Sequence, residues 1–205
     1  MSDRTTHWQN VYATKGEAEV SWYQDNPAIS LEMIRAARPD RGAAIIDIGG
    51  GASHLVDALL HDGYRDIAVL DLSANALDAA KKRIGTVASM VDWIIADATT
   101  WRPGKTYDVW HDRAAFHFLT NPCDRAAYVE RLRSALAPDG HVIIATFAPD
   151  GPEKCSGLPV QRHDSASLAK ELGADFKLVE TRSETHQTPW GSTQAFQFSR
   201  FRRQK

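Results

Sequence analysis

Cysteine is scarce in this sequence: Cys123 and Cys155 are the only two among 205 residues. Two cysteines cannot form the disulfide framework of a small secreted domain or a cysteine-rich zinc site, and we predict no metal site. No apolar run approaches the roughly 18 residues that a membrane-spanning helix requires. The first ten residues also lack the apolar stretch of a signal peptide. These absences predict a soluble cytoplasmic protein without membrane association.

Neither sign of charge dominates the sequence. Lysine and arginine number 24, aspartate and glutamate number 26, and the formal net charge is −2 at pH 7. This balance argues against a general affinity for nucleic acids or anionic membranes, so we expect no nucleic-acid partner. Hydrophobic residues make up 43% of the chain and charged residues 24%, as in ordinary globular proteins. A chain of this length and composition predicts a single domain over residues 1–205.

Short apolar runs alternate along the chain with segments of helical periodicity. This alternation is typical of an open α/β sheet with parallel strands. The first helix is predicted to follow Asn26-Pro27, and the strands are predicted at residues 43–48, 67–70, 91–96, 107–110, 141–147, 176–184 and 194–201. The last two strands have no helical pattern between them, so they are expected to form an antiparallel hairpin. The prediction is a Rossmann-like, seven-stranded, mostly parallel sheet with helices on both faces and a C-terminal hairpin.

An aspartate closes each of the first four predicted strands: Asp47, Asp71, Asp97 and Asp112. Open α/β sheets bind ligands at the carboxyl ends of their strands, near the point where the strand order reverses. Any one of these aspartates could simply cap a helix or stabilise a turn. Four in equivalent places, with a glycine-rich turn after the first, favour a nucleotide-like ligand.

The glycine-rich turn and Asp71 predict an adenosine-like ligand but do not show which one. Gly49 and Gly51 allow the backbone to turn sharply and to approach a ligand closely. Residues 49–54, GGGASH, lack the final glycine of the G-x-G-x-x-G pattern of dinucleotide sites. Asp71 lies 20 residues after Gly51 and suits two ribose hydroxyl groups. NAD would use such an aspartate equally well, so these residues predict an adenosine-like ligand without defining its chemistry.

Asp97 favours a ligand that contains adenine. It lies between two alanines and could accept a hydrogen bond from the exocyclic amine of the adenine ring. Five stretches carry a family resemblance, in order along residues 40–147: DIGGGAS (47–53), VLDLS (69–73), IADA (95–98), YDVWHDR (107–113) and LAPDGH (136–141). They resemble the motifs of class I S-adenosylmethionine-dependent methyltransferases. Ser53 departs from the family, which often has a third glycine there, but serine can cap the helix that follows.

The resemblance implies S-adenosyl-L-methionine as the cofactor and S-adenosyl-L-homocysteine as its product. It matches Asp71 to the family's ribose-binding acid and Asp97 to its adenine-contacting acid. The cofactor-binding residues expected on this basis are Asp47, Gly49, Gly51, Asp71, Leu72, Asp97, Ala98, Asp112 and Trp22.

Residues just after the fourth strand are expected to face the methyl group. His117 is a candidate general base, and Arg113 could hold a carboxylate or phosphate of the acceptor. The alternatives are that Arg113 pairs with Asp112 or another acid, and that His117 is a buried residue beside Phe116 and Phe118. We treat Arg113 and His117 as the candidate catalytic pair, with these structural roles left open.

The segment before the first strand is rich in aromatic residues, with HWQNVY at 7–12 and VSWYQ at 20–24. It is similar to the N-terminal segment of small methyltransferases, including some protein-lysine and thiopurine-type enzymes. Its rings could form a lid that excludes water and contacts a cation, with Trp22 as the best candidate. The alternative is a packed arm that covers the sheet.

The predicted organisation has three parts: a lid at 1–38, a cofactor-binding core at 40–147, and an acceptor-side loop, helix and hairpin at 148–205. The expected function is methyl transfer, with a small-molecule acceptor slightly favoured over a protein lysine. An NAD-dependent oxidoreductase and a non-catalytic cofactor-binding protein are the alternatives. Cys155 falls in the acceptor-side part and could place a thiol near the site.

Overall fold

A computed structural model of the protein describes residues 3–204. Its strands are β1 (Ala44–Ile48), β2 (Asp66–Asp71), β3 (Val91–Ile95), β4 (Tyr107–Arg113), β5 (Leu136–Phe147), β6 (Lys154–Cys155), β7 (Leu158–Pro159), β8 (Phe176–Gln187) and β9 (Thr193–Arg203). Its α-helices are α1 (Asp3–Thr14), α2 (Ala28–Ala37), α3 (Leu55–His61), α4 (Ala74–Ile84), α5 (Pro122–Ala135) and α6 (Ser165–Leu172). Within residues 3–204, no helix is both long enough and apolar enough to span a bilayer.

Seven strands form the main sheet in the order β3-β2-β1-β4-β5-β9-β8, while β6 and β7 make a small separate hairpin. The pairs β3–β2, β2–β1, β1–β4 and β4–β5 are parallel, whereas β9 is antiparallel to both β5 and β8. This topology confirms the predicted fold. Strands β2 and β3 are added in order on one side of β1. The chain then crosses over, and β4 pairs with the other side of β1. The switch point, where a ligand is expected, therefore lies between β1 and β4.

The central strands of the sheet are buried on both faces, as their apolar runs predict. Neighbouring residues of β1 point to opposite sides: Ile45 packs in a cluster with α2 and α3, and Ile46 packs in a cluster with α5 and α6. Both side chains are fully buried. The two layers of helices hold the strand ends rigidly, and the loops at the carboxyl ends of the strands carry the candidate site.

Two elements differ from the sequence prediction. The first helix is α1, not the helix that follows Pro27, and Val11 is its one buried residue. Because α1 has almost no apolar face, helical periodicity gave no signal for it. Strand β5 begins at Leu136 and not at His141. The register of its pairing with β4 shifts around the Pro138-Asp139-Gly140 turn. This turn is therefore a bulge inside the strand and does not precede the strand.

Candidate active site

A pocket, here called the main pocket, lies at the carboxyl ends of β1, β2 and β4. Side chains from α1 and from the segment after it cover one side. The residues that line it include Arg4, Trp8, Tyr12, Trp22, Gly49, Asp71, Leu72, Asp97, Ala98, Arg113, Phe118 and Cys155. The structure thus brings together six predicted cofactor residues, which are Trp22, Gly49, Asp71, Leu72, Asp97 and Ala98.

The turn after β1 depends on glycine at two positions. Gly49 and Gly51 have φ angles of 67° and 45°, a left-handed conformation that side chains disfavour. A Cβ atom on Gly49 would lie 2.5 Å from the Cβ of Ala115, and one on Gly51 would lie 2.9 Å from Asp71 Oδ2. The bare backbone of Gly51 therefore leaves room for the Asp71 carboxylate beside the turn. Ser53 Oγ accepts a hydrogen bond from the Leu55 backbone N–H at 3.1 Å, as expected for a residue that supports the start of α3.

Asp71 ends β2 and lines the main pocket, with Leu72 beside it. Its Oδ1 accepts a hydrogen bond from the Ser73 backbone N–H at 2.7 Å. Burial raises the pKa of Asp71 to about 7, and the nearby Asp47 carboxylate contributes in the same direction. Hydroxyl groups of a ligand that donate to this carboxylate would stabilise its charged form.

Asp97 lies beyond β3 on the same pocket, next to Ala98. Its Oδ1 accepts from the backbone N–H and hydroxyl group of Thr99, at 2.9 and 2.7 Å. Its Oδ2 accepts from Arg4 Nη2 at 3.0 Å. A carboxylate oxygen can accept two hydrogen bonds, so Oδ2 can still accept one from a ligand. The ion pair also ties the N-terminal turn of α1 to the rim of the pocket.

Aromatic rings form the wall that α1 presents to the main pocket. Trp8 contacts Trp22 and Phe118 edge to face, with ring centroids 5.6 and 4.9 Å apart. Trp22 Nε1 donates to the Tyr12 hydroxyl oxygen at 3.3 Å. Gln9 fastens the same helix, because its side-chain oxygen accepts from the Ser73 hydroxyl group at 3.1 Å. Trp8 and Tyr12 belong to the aromatic stretch that the sequence singled out, although neither was named individually.

Arg113, at the end of β4, lines the main pocket with 10% of its side chain exposed. Its Nη1 donates to the Trp22 carbonyl oxygen at 3.0 Å, and its Nη2 lies 3.5 Å from Glu184 Oε2. The guanidinium also lies 4.5 Å from the centre of the Phe196 ring. Burial lowers the pKa of Arg113. Its acidic partner is thus Glu184 on β8 and not the adjacent Asp112, a contact between distant segments that local sequence could not predict.

Cys155 borders the main pocket as well, with its Sγ 3.9 Å from the Ser21 hydroxyl oxygen. Burial raises the pKa of its thiol to about 11. A thiol in this state is a weak nucleophile near neutral pH. The thiol of Cys155 therefore lies beside the main pocket, as expected from the sequence.

Asp112 differs from the expectation that it faces the cofactor. It is completely buried and lies outside the lining of the main pocket. Its carboxylate accepts from the Tyr128 hydroxyl group at 2.7 Å and from the backbone N–H groups of Ala115 and Phe116 at 2.9 and 3.1 Å. Burial raises its pKa to about 6. The position and these three donors make Asp112 the acceptor that shapes the turn after β4.

His117 also differs from the expectation that it faces the acceptor. Its side chain is fully buried between the rings of Phe118 and Phe147, with centroids 4.5 and 4.8 Å away. The Phe147 backbone N–H points to its Nδ1 at 3.5 Å. Burial lowers the pKa of His117 to about 3. The imidazole is therefore neutral and points into the core. This agrees with the alternative that His117 is a buried residue and not a general base.

A second pocket, the smaller pocket, adjoins the main pocket and shares Tyr12, Trp22, Gly49 and Arg113 with it. Asp47 borders the smaller pocket. Its Oδ1 lies 2.7 Å from His111 Nδ1, and His111 Nε2 lies 2.9 Å from Ser30 Oγ. Neither His111 nor Ser30 was predicted from the sequence as a site residue. His111 stood inside a quoted motif without being singled out, and Ser30 on α2 has no local signal.

Comparison with known proteins agrees with this geometry. A family model described as "Methyltransferase domain" matches residues 45–140. A malonyl-[acyl-carrier protein] O-methyltransferase of Halalkalibacterium halodurans is 32% identical over 148 residues, which cover 70% of this chain and 51% of that protein. The chain thus spans about half the length of this curated relative.

Solved structures show the same fold. The N-methyltransferase NodS of Bradyrhizobium japonicum, in complex with S-adenosylhomocysteine, has a TM-score of 0.73 at 15% identity, over 99% of this chain and all of that one. A 1,6-didemethyltoxoflavin-N1-methyltransferase of Burkholderia thailandensis has a TM-score of 0.69 at 19% identity, over 98% and 84% of the two chains. Fold, motifs and sequence matches define a methyltransferase domain. The chain belongs to the class I S-adenosylmethionine-dependent methyltransferase family.

The structural role of Asp112 can be tested by unfolding. Asp112→Ala removes the acceptor of three buried donors, so we expect it to lower the free energy of unfolding by about 2–4 kcal/mol. Asp78→Ala, at an exposed aspartate of α4, is the control and should change it by less than about 0.5 kcal/mol. Urea titrations followed by circular dichroism measure both. Equal stability of the two variants would contradict the role assigned to Asp112.

Proposed function

We propose that this protein transfers a methyl group from S-adenosylmethionine to a nucleophile on a small-molecule acceptor. The observation that carries the proposal is the convergence of two carboxylates, Asp71 and Asp97, on one pocket beside a glycine turn. The glycine lets Asp71 border this pocket, because a side chain on Gly51 would collide with the Asp71 carboxylate. Such a site fits an adenosine group.

Each residue that we assign to the cofactor has a physical role. Asp71 accepts hydrogen bonds from the ribose hydroxyl groups, and Asp97 accepts one from the adenine amine through its remaining Oδ2 lone pair. Leu72 and Ala98 pack against the adenosine group. Gly49 leaves room for a ligand close to the backbone. These assignments are supported by the shared pocket and by the hydrogen-bonding capacity that Asp71 and Asp97 retain.

The bound cofactor would supply a methyl group that is already activated by its sulfonium. What the chain adds is orientation of the acceptor and exclusion of water. The aromatic wall of Trp8, Tyr12 and Trp22 excludes water from the main pocket. Arg113 is a mostly buried cation that borders both pockets, and we assign to it the binding of an anionic group of the acceptor. Glu184, at 3.5 Å, balances its charge in the absence of that group.

A small-molecule acceptor is favoured over a protein lysine by what the relatives are named for. One is named for malonyl-[acyl-carrier protein] and another for 1,6-didemethyltoxoflavin. We propose the three-part organisation predicted from the sequence, with a lid at 1–38, a cofactor core at 40–147 and an acceptor side at 148–205. The contact of Glu184 with Arg113 supports the last assignment. The predicted cytoplasmic location stays a prediction.

Binding of the cofactor product is the direct test of this function. Isothermal titration with S-adenosylhomocysteine should give micromolar affinity, which corresponds to about −8 kcal/mol. NAD, the ligand of the alternative oxidoreductase, should give no measurable heat of binding. Binding of NAD alone would support the oxidoreductase, and binding of neither compound would remove the basis for an enzyme. Methyl turnover that requires an added acceptor would exclude a non-catalytic cofactor-binding protein.

The ribose assignment predicts a loss of affinity in Asp71→Ala. Removal of a charged acceptor should weaken S-adenosylhomocysteine binding by about 1.5–3 kcal/mol. Asp66→Ala, at the other end of the same strand and outside both pockets, is the matched control and should bind like the wild type. Calorimetry measures both. An unchanged affinity in a folded Asp71→Ala protein would overturn the assignment.

The raised pKa of Asp71 predicts that affinity depends on pH. Its carboxyl group, with a pKa of about 7 in the free protein, binds hydroxyl donors better when ionised. Affinity for S-adenosylhomocysteine should therefore fall by about tenfold between about pH 8 and about pH 6, as the group takes up its proton. Asp71→Asn cannot titrate, so it should bind more weakly but with little change over this range. A constant wild-type Kd would argue against control by Asp71.

A further inference from the structure

One face of α1 lies along the main pocket. Arg4, Trp8 and Tyr12 are spaced four residues apart, so they share a face of the helix, and all three line that pocket. Val11 is the one buried residue of α1, so the helix has little apolar surface of its own to pack against the domain. A face that carries a guanidinium, an indole ring and a phenol suits contact with a ligand better than packing in a core.

The two ends of this face lie beside the two carboxylates assigned to the cofactor. At one end, Arg4 Nη2 lies 3.0 Å from Asp97 Oδ2. At the other end, a Cβ atom placed on Gly51 would lie 2.9 Å from Asp71 Oδ2 and 3.2 Å from the Tyr12 hydroxyl oxygen. That hydroxyl group is therefore close to the Asp71 carboxylate. In the proposed function, the face runs from the adenine end of the site to its ribose end.

Arg4 keeps hydrogen-bond donors for a ligand. Its Nη2 donates to Asp97, and its Nη1 lies 3.4 Å from Asp124 Oδ2 at the start of α5. Within residues 3–204, these two acids are its ion-pair partners. A guanidinium has five N–H donors, so the two acids do not use all of them. Arg4 is thus held between two carboxylates at the rim of the main pocket, with N–H groups left for a bound molecule.

Adenine suits a donor that is placed beside Asp97. Its exocyclic amine is flanked by the ring nitrogens N1 and N7, and both nitrogens accept hydrogen bonds. An amine that donates to Asp97 Oδ2 therefore brings an acceptor nitrogen towards the guanidinium that donates to the same oxygen. The carboxylate and the guanidinium together complement the neighbouring donor and acceptor of the adenine edge.

We propose that Arg4 binds the cofactor by donating a hydrogen bond to the adenine ring nitrogen next to the amine that contacts Asp97. This role rests on the proposed function, in which Asp97 accepts from that amine. Arg4 and Asp97 then recognise adjacent atoms of one ring, and their ion pair fixes the distance between the two groups. The bound cofactor also holds α1 on the main pocket, because the helix supplies one of the two partners of adenine.

The test is a double-mutant cycle between Arg4 and the adenine ring. Isothermal titration compares S-adenosylhomocysteine with its 1-deaza and 7-deaza analogues, in which carbon replaces N1 or N7 and the amine is kept. One of the two analogues should bind the wild-type protein about tenfold more weakly, as expected for loss of a hydrogen bond from a charged donor. Arg4→Met should reduce this ratio by at least about threefold, and Arg4→Lys, which keeps a cationic donor, should reduce it less. Arg102→Met, at an exposed arginine outside both pockets, is the control and should leave the ratio unchanged.

Two results would overturn the role of Arg4. The first is equal wild-type affinity for S-adenosylhomocysteine and both analogues, which needs no variant to fold. The second is a ratio that Arg4→Met leaves unchanged for both analogues, because a purely structural tie between α1 and the pocket would weaken all three ligands equally. Either result, with S-adenosylhomocysteine still bound by the wild type, removes the role of Arg4 alone. A wild-type protein that does not bind S-adenosylhomocysteine removes the proposed function and this role with it.

Discussion

The parallel pairing of β1 with β4 fixes the position of the groups at the centre of the molecule. In this register Asp47 lies directly opposite His111. Successive side chains of a strand point to opposite faces, so His111 and Asp112 go to different layers. His111 meets Asp47 and Ser30 beneath the smaller pocket, while Asp112 meets Tyr128 of α5. One pair of strands thus sends two neighbouring polar side chains into different layers of the fold.

The same edge of the sheet brings Asp71 and Asp97 together. β2 and β3 run parallel to β1, so their carboxyl ends open onto the same side. The glycine turn adds no side chains of its own at Gly49 and Gly51, and the bend costs little because both residues tolerate positive φ angles. The N-terminal helix then covers the opening with aromatic rings and is tied to it by Arg4. Sheet topology places the acids, and the glycines keep them accessible.

The sequence was sufficient to predict the sheet, because short apolar runs mark its strands and an acid lies at the end of each of the first four. It also led to Asp71 and Asp97, since a strand end is a position that local pattern can locate. The sequence prediction failed for Asp112 and His117, because a sequence pattern does not show on which face of a strand or turn a side chain lies. His117 is one residue from Phe118, which lines the main pocket, yet its own ring points into the core.

Long-range contacts were beyond prediction for another reason. Ser30 reaches His111, and Glu184 reaches Arg113, only because α2 and β8 pack where the folded sheet allows. No spacing in the chain encodes either pair. The helix α1 was missed because, with Val11 alone buried, it has no apolar face to reveal its period.

A crystal structure of the complex with S-adenosylhomocysteine tests most directly whether the main pocket is the cofactor site. The predicted result has the ribose hydroxyl groups within about 3 Å of the Asp71 carboxylate and the adenine amine at the same distance from Asp97. A ligand bound elsewhere, or bound in the main pocket without contact to either acid, would contradict this assignment.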